Sequence, residues 1–194
     1  MATIALFHSV LGVRAGLLES AEMLRAHGHT VHVVDQYDGR VFDDYDAAME
    51  HMEGIGFPAL MGRALDATAE LPPGLVTMGF SNGAGMAEYV AGSRPVSGVV
   101  MLGGAMDPSV LGTSWPARVD GQVHTTVDDP WREQEGIDGV RTAAEAVGGH
   151  VEVFDYPGSG HLFADSSKSD EFQPAEAEVM WSRVLEFLRR VDDV

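Results

Sequence analysis

The chain has 194 residues and no cysteine, and its 12 Lys+Arg against 30 Asp+Glu give a formal charge of −18. No cysteine means no disulfide framework, no Cys-ligated metal or iron–sulfur cluster and no thiol nucleophile. A charge this negative argues against a nucleic-acid binder or a protein that lies on an anionic membrane. The length suits a single domain over residues 1–194, and the hydrophobic fraction of 45% is that of a globular protein, so the acidity is not a sign of disorder.

Met1 is followed at once by the apolar run Ile4-Ala5-Leu6-Phe7, with no basic start and no long apolar stretch. Nothing resembles a signal peptide, and no segment reaches the roughly 18 apolar residues of a membrane span, so a cytoplasmic protein is expected.

In chain order, Ile4–His8 reads as a buried strand. Arg14–His27 reads as a helix with Leu17, Leu18, Ala21 and Leu24 on one face, and Gly28 as its stop. Thr30–Val34 is a second strand. Asp35–Gly56 is polar and acidic and reads as a long loop with one helical turn. Pro58–Glu70 predicts a helix with Pro58 in its first turn. Leu75–Phe80 is a strand and Asn82–Ala91 a helix; Val96–Leu102 is a further strand. Gln122–Thr126 and Trp131–Val147 form another strand–helix pair, and Val151–Tyr156 is the last strand. Pro174–Val191 is a long amphipathic helix with Val179, Met180, Val184, Phe187 and Leu188 facing inward. About six continuous apolar strands in β-α-β order imply an α/β three-layer sandwich whose sheet is mostly parallel and covered on both faces.

The sharpest motif is Gly79-Phe80-Ser81-Asn82-Gly83, a G-x-S-x-G placed where a strand meets a helix. A nucleophile elbow needs that context: a sharp turn holds the serine in strained geometry, and the glycines permit close backbone approach. The plainer alternative is a glycine-rich turn, or a βα loop that cradles phosphate; the loop has no Lys or Arg and the chain is strongly acidic, which counts against the latter. A serine nucleophile needs a base oriented by a carboxylate, and with this elbow the chain order is Ser, acid, His. His161, in the Gly-rich segment after the last strand, is the best base. The acid is Asp128 or Asp129, after the strand Gln122–Thr126. All three positions fall just beyond the C-terminal end of a strand, where parallel α/β sheets place their sites. Two backbone donors should hold an oxyanion: the N–H of Asn82 and one from the loop Ser9–Gly12. Trp131 should wall the site more closely than Trp115, and Met49, Met52, Met61, Met78 and Met86 are candidates to line a pocket. The remaining histidines lack the convergence a metal site needs, so no metal and no cofactor is expected.

These residues resemble the dienelactone hydrolase family, a branch of the α/β-hydrolases, over nearly the whole chain. Gly12-Val13-Arg14 resembles that family's opening motif. Gly28-His29-Thr30-Val31 with Val34-Asp35-Gln36-Tyr37 resembles its second-strand segment, and Tyr156-Pro157-Gly158-Ser159-Gly160-His161-Leu162-Phe163 its His segment. The resemblance implies Ser81 as nucleophile, His161 as base and Asp129 as acid. The oxyanion donors it implies are the N–H groups of Val10 and Asn82. It implies a minimal α/β-hydrolase fold without the first two strands. Two departures stand out. The family's Cys nucleophile and its paired Glu are matched by Ser81 and Ser9. The Arg four residues after the family's His, which binds the substrate carboxylate, is matched by Asp165. The expected activity is that of a serine hydrolase cleaving an ester or lactone of a small, neutral or cationic molecule, as a monomer or homodimer. A non-catalytic small-molecule binder on the same fold is the alternative.

Overall fold

The computed structural model describes residues 1–192. Six strands, β1 (Thr3–Phe7), β2 (Thr30–Val34), β3 (Leu75–Phe80), β4 (Val96–Leu102), β5 (Asp120–Thr126) and β6 (Val151–Tyr156), form one sheet in the order β2-β1-β3-β4-β5-β6. All five pairings are parallel. The helices are α1 (Ala15–Ala26), α2 (Tyr45–Ile55), α3 (Phe57–Thr68), α4 (Asn82–Ser93), α5 (Gln134–Ala146) and α6 (Pro174–Asp192). This is the α/β-hydrolase arrangement without its first two strands.

The strands alternate between the two faces, as the period of two demands. Ile4, Leu6, Met78 and Val100 pack with Leu17, Ala21 and Leu24 of α1 and with Met180, Val184, Phe187 and Leu188 of α6. Ala5, Phe7, Val99 and Met101 pack with Leu60 of α3, Met86 and Val90 of α4 and Val140 of α5. Each face is therefore sealed by helices, which is why the strands are apolar throughout rather than alternating with polar residues.

The chain leaves β1 toward β2 and later returns to place β3 on the other side of β1. The loops after β1 and β3 therefore diverge, and a crevice opens between them at the C-terminal edge of the sheet. Helix α4 lies directly on the strands beneath this crevice. A Cβ at Gly83 would stand 2.5 Å from the carbonyl oxygen of His8, and one at Gly79 would stand 1.9 Å from that of Gly83. Only glycine permits this approach.

Several sequence-based expectations need correction. Asp35–Gly56 is not a long loop, because Tyr45–Ile55 forms the three-turn helix α2, capped by Asp44, whose side chain accepts from the Ala47 N–H at 2.9 Å. The fifth helix begins at Gln134, not Trp131, because Pro130 and Trp131 belong to the turn that Asp129 organises. Leu18 and Val179 face outward, 46% and 47% exposed, each beside the apolar stripe rather than within it. No helix among the described residues is long and apolar enough to cross a membrane.

Candidate functional site

Ser81 occupies the turn between β3 and α4 at φ 53° and ψ −117°. A non-glycine residue held at positive φ stores strain, which the surrounding packing must impose. Here the Ser81 N–H is fixed to the Leu102 carbonyl at 2.6 Å, and Ser81 in turn accepts from the Ala84 N–H at 2.8 Å. The hydroxyl is thereby carried to the floor of the crevice.

His161 reaches Ser81 Oγ with Nε2 at 2.7 Å and Asp129 Oδ2 with Nδ1 at 2.7 Å. The residues come from the ends of three strands, 32 and 80 positions apart. The Asp129 side chain is fully buried. Its second oxygen accepts the Trp131 N–H at 2.8 Å, so the carboxylate is oriented by the turn that follows it. Asp128 is exposed and points elsewhere; its N–H goes to the Gly158 carbonyl at 3.0 Å.

The His161 loop is braced on both sides. Gly160 gives its N–H to Gln173 Oε1 at 2.9 Å, and its carbonyl accepts from Thr126 Oγ1 at 3.0 Å. Leu162 gives its N–H to Glu171 Oε2 at 2.7 Å. A Cβ at Gly160 would stand 2.1 Å from the Glu171 carbonyl oxygen, which accounts for the glycine before the histidine.

A cavity of about 340 Å³ opens above Ser81 and His161. Val10 and Asn82 line it, and the backbone N–H of neither is engaged with another group of the protein among the described residues. Tyr45, Met49 and Met52 of α2 form the opposite wall, one turn apart along a single helix face. The stretch expected to be a loop thus caps the site. Gly103, Gly104, Ala105 and Met106, after β4, and Trp131 complete the lining. Gly85 faces the cavity, where a Cβ would meet Met106 Sδ at 3.1 Å.

Other expected lining residues lie elsewhere. Met78 and Met86 are core, Met61 packs at the edge of the core cluster, and Trp115 is buried with its N–H on the Val119 carbonyl. Ser9 Oγ accepts the Leu11 N–H and does not face the cavity. Asp165 is also outside it: its carboxylate lies against Gly16, accepts from Ser167 N and Oγ, and sits 3.8 Å from Arg14 Nε. Asp165 therefore says nothing direct about substrate charge.

Glu171, Gln173 and Arg14 were not visible as site residues in the sequence. Arg14 ties the loop after β1 to the Phe42 carbonyl, Asp43 and Ser167. Such bonds span up to 153 residues, and no local pattern encodes them. His124 is buried between β5 neighbours, stacked on Phe154, with its pKa pushed down to about 3 by desolvation. It is a neutral structural bridge between Tyr156 and Gln122. Among the described residues no group of three or more His, Asp or Glu is arranged to hold a metal.

The chain is similar in fold to a dienelactone hydrolase-like promiscuous phosphotriesterase, P91, from metagenomic libraries (TM-score 0.79, 19% identity, covering 98% of this chain and 87% of that one). It is similar also to a dienelactone hydrolase from Anabaena variabilis (TM-score 0.67, 18% identity, covering 97% and 86%) and to esterase PE8 (TM-score 0.64, 16% identity, covering 98% and 92%). No curated protein matches the sequence. The model of the dienelactone hydrolase family matches residues 1–192. The chain belongs to the dienelactone hydrolase family, hydrolases built on the α/β-hydrolase fold.

Proposed function

We propose that the protein is a serine hydrolase that cleaves an ester or lactone of a small molecule through Ser81, His161 and Asp129. The observation that carries this reading is the unbroken hydrogen-bonded chain Ser81–His161–Asp129 on the floor of an apolar cavity. His161 Nε2 takes the Ser81 proton as Oγ attacks the carbonyl carbon. The tetrahedral oxyanion is held by the N–H groups of Val10 and Asn82. His161 then gives the proton to the departing alcohol oxygen, leaving an acyl-Ser81 ester. Water, deprotonated by His161, attacks that ester; the acid leaves and Ser81 recovers its proton. Asp129 holds the imidazole in the tautomer with Nδ1–H and stabilises the imidazolium formed in each half.

Serine is a weaker acid than the thiol used by relatives with a Cys nucleophile, so it depends more on a well-placed base. The strain at Ser81 and the braces on the His161 loop supply that placement. An active-site-directed fluorophosphonate is expected to label Ser81 of the folded protein, located by mass spectrometry, and Ser81→Ala is expected to lose both label and hydrolysis of short-chain esters. Intact hydrolysis by Ser81→Ala would overturn the mechanism; absence of label would favour a non-catalytic binder.

A further inference from the structure

Besides His161, the cavity is lined by two ionisable side chains, Tyr45 and Glu133. Among the described residues no lysine or arginine lines it. Arg14 is committed to Asp43, Phe42 and Ser167, and Arg132, beside Trp131 in the chain, to Asp155, Thr125 and Gln134. Lys168 lies over the Tyr45 ring, 5.4 Å from its centroid, with its charge met by Asp170 and Glu171. Glu133, by contrast, has no ion-pair or hydrogen-bond partner for its carboxylate among the described residues. It follows Trp131 by two positions at the rim. Trp131 is half exposed, and the cation–ring contacts among the described residues fall on Tyr45, Phe154, Tyr156 and Phe187, not on Trp131.

The position of Trp131 also indicates which part of a substrate it meets. Its ring lies 6.2 Å from that of His161 and 5.9 Å from that of Tyr45. In acyl transfer the leaving group departs beside the histidine that protonates it. The alcohol portion of an ester therefore lies against Trp131, with Glu133 beyond it.

We propose, resting on the serine hydrolase reading above, that the leaving-group side of this site is built for a cationic alcohol. A quaternary or primary ammonium would lie on the indole face of Trp131 with Glu133 as its counter-ion. An aromatic face and an unpaired carboxylate are the two groups that attract a positive head. The overall charge of −18 draws cations toward the mouth. The reaction is unchanged: the ammonium is a spectator, and the alcohol leaves with the proton from His161.

The test compares two isosteric esters, a choline ester and the matching 3,3-dimethylbutyl ester, in which carbon replaces the charged nitrogen. Acyl chains from acetyl to hexanoyl are run for each. The ratio of kcat/KM, charged over neutral, is expected to be about tenfold for the natural chain at low salt. It should shrink as salt rises. Glu133→Gln should bring the ratio toward one, and Glu133→Lys should invert it. Trp131→Leu should lower it with Glu133 intact. Both residues stand in the partly exposed turn before α5 and their backbone contacts are kept, and comparing the two esters within each variant removes any general loss of activity. A ratio at or below one in the natural chain, or one that Glu133→Lys leaves unmoved, overturns the assignment while fluorophosphonate labelling of Ser81 still supports a hydrolase. Failure to label Ser81 together with no turnover of either ester overturns both readings.

Discussion

Tyr45 of α2 donates its hydroxyl to Glu171 Oε1 at 2.9 Å, and Glu171 Oε2 accepts the N–H of Leu162, the residue next to His161. One carboxylate thus joins the helix that caps the cavity to the loop that carries His161. Burial, and then Glu171 itself, push Tyr45 ionisation well above the ordinary phenol range, so its hydroxyl stays a donor throughout the working pH range. Tyr45→Phe keeps the ring against Trp131 and removes only this bond. It is expected to cost about 1–2 kcal/mol of stability in urea unfolding and to lower kcat/KM several-fold. An unchanged kcat/KM would mean that α2 is held by its methionines alone.

The tight glycines give a contrast within one helical architecture. Gly83→Ala would place its Cβ 2.5 Å from the His8 oxygen and 2.6 Å from the Phe7 oxygen, at the end of the interior strand β1 and in the residue just after it, where the backbone has little room to yield. A loss of about 2–3 kcal/mol or more is expected. Gly62 lies in α3 with nothing near its missing side chain. Gly62→Ala should stabilise by about 0.5–1 kcal/mol. Thermal melts of the two variants beside the parent check both signs.

What was legible in the sequence had local chemistry behind it. Ser81, Asp129 and His161 stand where apolar strands give way to Gly, Asp and Pro, so their place at one sheet edge followed from the β-α-β order. The choice of Asp129 over Asp128 came from the family match, and the geometry brings Asp129 to His161. Helix α2 was obscured because it buries only Ala48 fully and carries Asp46, Glu50 and Glu53 on its outer side. Its signals were present all the same: Asp44 as cap, and Tyr45, Met49 and Met52 at helical spacing. The braces from Glu171, Gln173 and Arg14 had no such signal, because each joins segments that only the folded sheet brings together.

Glu88 of α4 is fully buried and accepts the Met106 N–H at 3.0 Å, which fixes a wall of the cavity. Burial pushes its carboxyl up from 4.5 to about 8, reinforced by Asp107 and opposed by the Met106 N–H. Between those values the folded chain holds a proton that the unfolded chain has released, so stability falls as pH rises through that window. Glu88→Gln keeps an oxygen for Met106 and does not titrate. Its melting temperature relative to the parent should climb from about pH 4.5 to about pH 8 and then level off. A difference independent of pH would falsify the buried-acid assignment.

Asp165 stands at the position that the sequence resemblance matches to a substrate-binding arginine, yet it faces Gly16, Ser167 and Arg14 rather than the cavity. Asp165→Asn is expected to cost about 1–3 kcal/mol by weakening a buried polar cluster while leaving the preference between neutral esters and carboxylate-bearing lactones unchanged. Asp165→Arg should destabilise more, since it sets a second guanidinium beside Arg14 where Gly16 leaves little room. A gain in carboxylate-lactone turnover by Asp165→Arg would show that the position reaches the substrate after all.

Two adjacent aspartates offer the most direct test of the proposed mechanism. Asp129 is buried, bonded to His161 Nδ1 at 2.7 Å and oriented by the Trp131 N–H. Replacing it by asparagine keeps the shape but removes the charge that stabilises the imidazolium, and it lets an amide N–H face Nδ1, which favours the wrong tautomer. A fall in kcat of about 10³–10⁴-fold is expected, with the fold intact by circular dichroism. Asp128 is exposed, and among the described residues it bonds through its backbone N–H to the Gly158 carbonyl, which Asp128→Asn preserves. That variant should stay within about twofold of the parent, since a surface carboxylate in high dielectric acts weakly on a buried pair. Comparable losses at the two positions would mean that the negative field at the mouth, and not the orientation of His161, is what the aspartates supply.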